Sequence, residues 1–135
     1  MSNKSNGTAF EREFAEMLSE RGFWVHLLKD NSNGQPFDVI ATKNNQAYAF
    51  DCKICEHEDF SLYRAEVNQM YAMQVWKDCG NREGLFAVKT PSGIWMIKHS
   101  TIADLIEKGH RRLRGKKIRE NSVSFEEWIH ESNNQ

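Results

Sequence analysis

The sequence predicts an α/β domain, a mixed β-sheet flanked by helices, and three observations carry that prediction. Apolar residues recur at helical spacing between Thr8 and Arg21. Between Ala47 and Ile54 the pattern changes to strict alternation, the period of a strand. The rest of the chain keeps exchanging the two periods, in the order α-β-β-β-α-β-β-α.

The first helix rests on Phe10, Phe14, Met17 and Leu18, with Gly22 as its stop. Trp24 to Leu28 reads as a short strand, and the polar stretch Lys29 to Gln35, with Asn31, Asn33 and Gly34, as a loop. Phe37 to Thr42 is the second strand, and Asn44-Asn45 suits a tight turn into the third. On that third strand Tyr48, Phe50, Cys52 and Ile54 form the core face, while Ala47, Ala49, Asp51 and Lys53 point the other way. Leu62 to Lys77 predicts a helix with Val67, Met70, Tyr71 and Val75 inward, closed by Gly80. Leu85–Lys89 and Ile94–Lys98 predict a hairpin around Pro91-Ser92-Gly93. Thr101 to Lys108 is a short helix capped by Ser100. Ser124-Phe125-Glu126-Glu127 has capping-box spacing and opens a last turn that docks Phe125, Trp128 and Ile129 before a frayed tail, Ser132 to Gln135.

At 135 residues the chain fits a single domain, with a core over about 4–108 and a basic segment plus C-terminal helix over 109–135. No apolar run approaches the ~18–20 residues of a membrane span. The first residues lack the apolar stretch of a signal peptide, so a cytoplasmic protein with reduced thiols is expected. Cys52 and Cys55 form a C-x-x-C near His57. Positions three apart on a strand face opposite sides, however, and no second ligand pair exists, so Cys52, Cys55 and Cys79 read as small buried side chains. The net charge of −1 does not announce a nucleic-acid binder, yet its distribution does. From His110 to Arg119 the chain carries Arg111, Arg112, Arg114, Lys116, Lys117 and Arg119 with no acid between them. Such a run is either a solvated basic loop or a surface that neutralises phosphates and releases their counterions.

The chemistry concentrates at Asp38, Asp51 and Lys53. Asp51 and Lys53 lie two apart and share a strand face, and a hairpin brings Asp38 alongside. Two carboxylates that meet make a hard-oxygen site suited to Mg²⁺, and a lysine beside it can stabilise a phosphate or activate water. A plain salt-bridged strand face is the competing reading. Against it, Asp38 falls within an apolar strand and Asp51 follows Tyr48-Ala49-Phe50, where a carboxylate without a partner is costly. Glu11 lies on the first helix with Glu13 and Glu16 as alternatives, and Thr8-Ala9-Phe10-Glu11 is also a capping box, which would confine Glu11 to the Thr8 amide. Gln69 lies on the Glu66-Gln69-Met73 face of its helix, ordinarily a solvated position. The five histidines show no paired ligand spacing, and no phosphate-binding glycine loop or nucleophile elbow occurs.

In order along the chain, Glu11, the Pro36-Phe37-Asp38 turn and Asp51-Cys52-Lys53 resemble the PD-(D/E)xK nuclease superfamily. Within it the likeness is to two groups of Holliday junction resolvases. Lys4, Gly7, Glu11-Arg12-Glu13-Phe14 and Arg21-Gly22-Phe23 are similar to the opening of the archaeal group. Phe60, Leu62, Gln69 and Met73 are similar to the Gram-positive bacterial group, and the likeness covers about residues 4–98. It implies a restriction-endonuclease-like fold. It also implies a Mg²⁺ site, with Mn²⁺ as substitute, made by Glu11, Asp38, Asp51 and the main-chain carbonyl of Cys52. Lys53 is then the catalytic lysine and Gln69 a supporting residue. Lys4 and the six basic residues of 111–119 become DNA contacts, and a homodimer would cut symmetric strands of a four-way junction, whether in a cellular or a phage genome. Four features depart from the pattern: Asp51 stands where resolvases usually carry Glu, Phe37 intervenes between Pro36 and Asp38, the net charge of −1 is low for a junction binder, and the long bacterial insertion has no counterpart at Asn44-Asn45. A different nuclease of the superfamily and a non-catalytic binding module on the same fold remain the alternatives.

Overall fold

The computed structural model describes residues 3–28 and 36–134, with side chains from residue 7 onward. The Lys29–Gln35 loop, the Lys4 side chain and Gln135 lie outside the described residues. No described helix is long and apolar enough to cross a membrane.

Helix α1 (Asn3–Glu20) starts before the expected Thr8, because the polar residues 3–7 carry no periodicity from which to read a helix. Thr8 therefore sits inside the helix, and no capping box opens there to confine Glu11. Phe10, Phe14 and Leu18 are buried along one stripe. Gly22, at φ 88°, ends the helix: its amide donates to Ser19 and that of Phe23 to Leu18, the paired bonds of a Schellman cap.

Strands β1 (Trp24–Leu27), β2 (Val39–Lys43) and β3 (Gln46–Ile54) form an antiparallel meander. Asn44 and Asn45, at φ 52° and 63°, make the β2–β3 turn in the left-handed region that asparagine tolerates best among residues with a Cβ. After β3 comes a short strand, β4 (Asp59–Ser61), then a single 3₁₀ turn (Leu62–Arg64) and helix α2 (Val67–Asp78). The expected helix from Leu62 is thus delayed by five residues. Glu66 and Gln69 form the capping box that starts it, and Phe60 and Leu62 are already anchored in the core as extended chain.

Strand β5 (Leu85–Thr90) pairs parallel with β3 and antiparallel with β6 (Gly93–Lys98). Helix α3 (His99–Glu107) begins two residues before Thr101; Lys98, not Ser100, holds the cap position, and the Ser100 amide donates to Glu83. The basic run is not a loop: it forms strand β7 (Arg112–Arg114), which pairs with β4, and helix α4 (Lys116–Glu120). Strand β8 (Val123–Ser124) closes the main sheet in the order β1-β2-β3-β5-β6-β8. Helix α5 (Phe125–Asn133) follows, with Ser124 Oγ accepting from the Glu127 amide. Its tail is not frayed at Ser132, which is buried and bonds the Ile129 carbonyl.

Both faces of the sheet are covered. On one, α1 and α5 pack Phe10, Phe14, Leu18, Phe125 and Trp128 over Tyr48 and Phe50. On the other, Met73 of α2, Ile102 of α3 and Ile118 of α4 cover Ala49, Phe86, Val88 and Ile97. The expected inward stripe of α2 is wrong except at Met70. Val67, Tyr71 and Val75 are 87%, 72% and 42% exposed, while Met73 is fully buried. The helix carries two apolar stripes, and periodicity alone does not say which one faces the sheet. Cys79 is exposed, so burial holds only for Cys55, with Cys52 half-buried. Cys52 packs in the first core and Cys55 in the second, which keeps the two thiols on opposite sides.

Phe14 meets Phe50 and Phe125 edge-on at 5.1 and 5.7 Å and joins the first helix, the central strand and the last helix. Phe14→Ala is expected to lower stability by about 3–5 kcal/mol, read as a reduced urea midpoint with little change in slope.

Candidate active site

The hairpin places its two acids side by side. Asp38 lies just before β2, its amide donating to the Phe50 carbonyl and its own carbonyl accepting from Leu28, both at 2.9 Å. Its Oδ2 accepts from the Cys52 amide at 2.7 Å, so the carboxylate is fastened across β3. Asp51, one residue before Cys52, is only 2% exposed. Gln69 Nε2 donates to Asp51 Oδ1 at 3.0 Å, and Lys53 Nζ lies 3.0 Å from Asp51 Oδ2. That second contact has ion-pair distance but not hydrogen-bond alignment, which leaves the buried Oδ2 with a charge beside it and no directed donor.

Burial raises the Asp51 pKa from its ordinary 3.8 to about 8. The Asp38 charge adds to the rise and Lys53 opposes it. The Cys52 thiol is also pushed well up, by burial first and then by Asp38, Asp51 and Glu11. Glu11 therefore shares the neighbourhood, reaching it from α1 on the Cys52 side of the strand. Among the described residues, no three acid, histidine or cysteine side chains gather closely enough to hold a metal on their own. The acid pair still suits a hard divalent cation: both groups are carboxylates, they repel one another, and Asp51 Oδ2 lacks a donor.

Gln69 is the residue whose placement differs most from its sequence reading. Met73 is fully buried and Gln69 half-buried on the sheet-facing side of α2, while Glu66 is exposed at its start. Gln69 also accepts from the Glu66 amide, so one side chain caps α2 and steers Asp51. The basic residues lie farther out and exposed, Arg111 just before β7 and the others on β7 and α4. Part of their charge is already met, Arg112 and Arg114 by Asp59 at 2.9 and 3.6 Å and Lys117 by Glu120 at 3.3 Å. A cleft of about 540 Å³ runs from Cys52 and Ile54 past His57 and Ser61 to Arg64 and Arg112. Arg64, which donates to the Ile54 carbonyl at 2.7 Å, carried no signal in the sequence because its stretch read as plain helix.

The mixed sheet thus holds a buried Asp51 beside a half-buried Asp38, with Lys53 at ion-pair distance. The family model of the archaeal Holliday junction resolvases (Hjc) matches residues 2–135, and the chain belongs to that family. It is an endodeoxyribonuclease of the Holliday junction resolvase class, and nucleases of this family generally depend on a metal. The match includes the basic segment and last helix, beyond the expected limit at residue 98. Among solved structures, the Hjc resolvase of the archaeal hyperthermophile Archaeoglobus fulgidus superposes with a TM-score of 0.66 at 15% identity. That alignment covers 93% of this chain and 96% of that one, and it shows the shared fold. A structure designated SSO0001 aligns at a TM-score of 0.43 and 14% identity over 87% of this chain and 61% of that one, too loosely to bear on the argument. No protein of curated function matches the chain.

The Asp51 shift has a consequence for stability. Without a divalent ion, the folded protein keeps the Asp51 proton up to about pH 8, whereas an unfolded chain releases it near 3.8. The folded state binds more protons across that interval, so this contribution is complete at acid pH and is lost as pH rises towards 8. Thermal melts in chelator should show the wild-type midpoint falling through that window, with the fall reduced in Asp51→Asn. A wild-type profile no steeper than that of the variant would refute the assignment.

Proposed function

We propose that this chain resolves four-way DNA junctions by metal-assisted phosphodiester hydrolysis at Asp38, Asp51 and Lys53. The observation that carries the reading is the buried Asp51 carboxylate, pressed against Asp38 and flanked by Lys53. Asp38, Asp51 and the Cys52 carbonyl would hold the ion, with Glu11 as an additional carboxylate. When bound there, Mg²⁺, or Mn²⁺ in its place, supplies the Lewis acidity that phosphate hydrolysis needs. Lys53 offers a fixed positive charge to the phosphate as negative charge develops. Gln69 and the Cys52 amide orient the two carboxylates, so neither must reorganise when DNA arrives.

Lys4 and the exposed cations Arg111, Lys116 and Arg119 serve as backbone contacts that carry no sequence information. Arg112, Arg114 and Lys117 do so in competition with their acidic neighbours. The working unit is a homodimer, which gives two sites for two symmetric strands. Tyr63, Val67 and Tyr71, with Ile106 of α3, form an exposed apolar face, and part of it lines a groove of about 400 Å³; a second copy is the partner this reading places there. The three free cysteines agree with a cytoplasmic enzyme.

Asp51→Asn and Lys53→Ala should each lower Mg²⁺-dependent junction cutting by at least about 100-fold, with junction affinity in chelator nearly unchanged. Cutting by Asp51→Asn within a few-fold of wild type would end the reading. Equal rates on a junction and on linear duplex of matching sequence would end its junction specificity. Val67→Glu with Tyr71→Glu should give a monomer by sedimentation; a persistent dimer would move the interface elsewhere.

A further inference from the structure

Tryptophan is usually well buried, yet Trp24 is 62% exposed on β1, an edge strand. Its indole lies flat against the exposed His26 ring two residues on, with centroids 6.1 Å apart and planes 7° from parallel. The two parallel rings form a stacked aromatic shelf, and among the described residues neither ring belongs to either core cluster.

The strand register relates this shelf to the acid pair. His26 pairs with Ile40, and Ile40 with Ala49, so the three share a sheet face. Asp38 and Asp51 lie two residues farther along β2 and β3 in the same direction, on that same face. Strand geometry then puts the Cα of His26 about 8 Å, and that of Trp24 about 14 Å, from the Cα of Asp38. The shelf is thus a flat aromatic surface within a few nucleotides of the position where a strand would be cut.

We propose that Trp24, backed by His26, is a stacking platform for a nucleobase of the branched DNA. The inference rests on the resolvase reading and names a recognition element for it. Phosphate contacts treat duplex and junction alike. A base is available to an aromatic face only where stacking in the DNA is interrupted, as at a branch point. Stacking also accepts any of the four bases, which suits recognition of structure over sequence. Trp24 and His26 act here by holding the strand, not by touching the reacting phosphate.

Affinity for a four-way junction and for linear duplex, measured by fluorescence anisotropy in chelator at several salt concentrations, tests the platform. Trp24→Ala should weaken junction binding about tenfold, the effect of losing one base–aromatic stack, with an unchanged salt slope. On duplex it should change affinity less than about twofold. Trp24→Phe, which keeps a ring, should recover most of the loss on the junction. Three results would overturn the proposal: an unchanged junction affinity in Trp24→Ala, an equal loss on duplex, or a monomer by sedimentation, which would give this surface to a second copy. Failure of the wild type to prefer the junction at all would instead strike the resolvase reading, and the platform with it.

Discussion

Asp51 sits in a sheet covered on both faces, and the surroundings of its carboxylate impose order on the rest of the structure. An ionised group at such depth costs several kcal/mol unless charge and hydrogen bonds offset it. Two of the offsets come from different parts of the chain: Lys53 from the same strand, and Gln69 from the helix that begins at Val67. Asp38 works in the opposite sense and keeps the site short of positive charge. Lys53 is too poorly aligned with Oδ2 to satisfy it. Without a divalent ion Asp51 therefore keeps its proton to about pH 8, and a cation beside Asp38 would supply the charge that lets Asp51 ionise.

The two faces of the sheet divide the work. The α1–α5 face is almost wholly aromatic and aliphatic, and Phe14, Phe50, Phe125 and Trp128 brace the back of β3. The opposite face carries the small Ala49, two residues before Asp51, and the helix that brings Gln69. The last helix is part of this bracing, which gives a physical reason for the family likeness to run through residues 109–135. The basic segment is likewise part of the architecture. Pairing of β7 with β4 sets Asp59 against Arg112 and Arg114, so the near-neutral chain has no single block of six unopposed cations.

Much of this was legible in the sequence where one period dominated. Phe10, Phe14 and Leu18 announced α1, alternation from Tyr48 to Ile54 announced β3, and Asn44-Asn45 marked the turn between the acids. The sequence reading failed where two patterns overlapped. Helix α2 carries two apolar stripes, and the more hydrophobic-looking one, Val67-Tyr71-Val75, turned outward because Met73 fits beside Gly84 and Gln69 has Asp51 to bond. The capping box at Glu66 escaped notice because glutamate is an uncommon residue for that position. Pairing of residues 59–61 with 112–114 is a long-range event that local spacing does not encode. The resemblance pointed to Gln69 where spacing alone suggested solvent.

The pairing of β4 with β7 also sets an order of assembly. The β2–β3 hairpin carries Asp38 and Asp51 and needs only a two-residue turn, so these acids can meet early in folding. The wall of the cleft beside them depends on contacts such as Asp59 with Arg112, 53 positions apart. Closing that span costs chain entropy that nearby contacts do not, so it comes late. A partly folded chain would therefore carry the two acids together before the β4–β7 wall of the cleft has closed beside them.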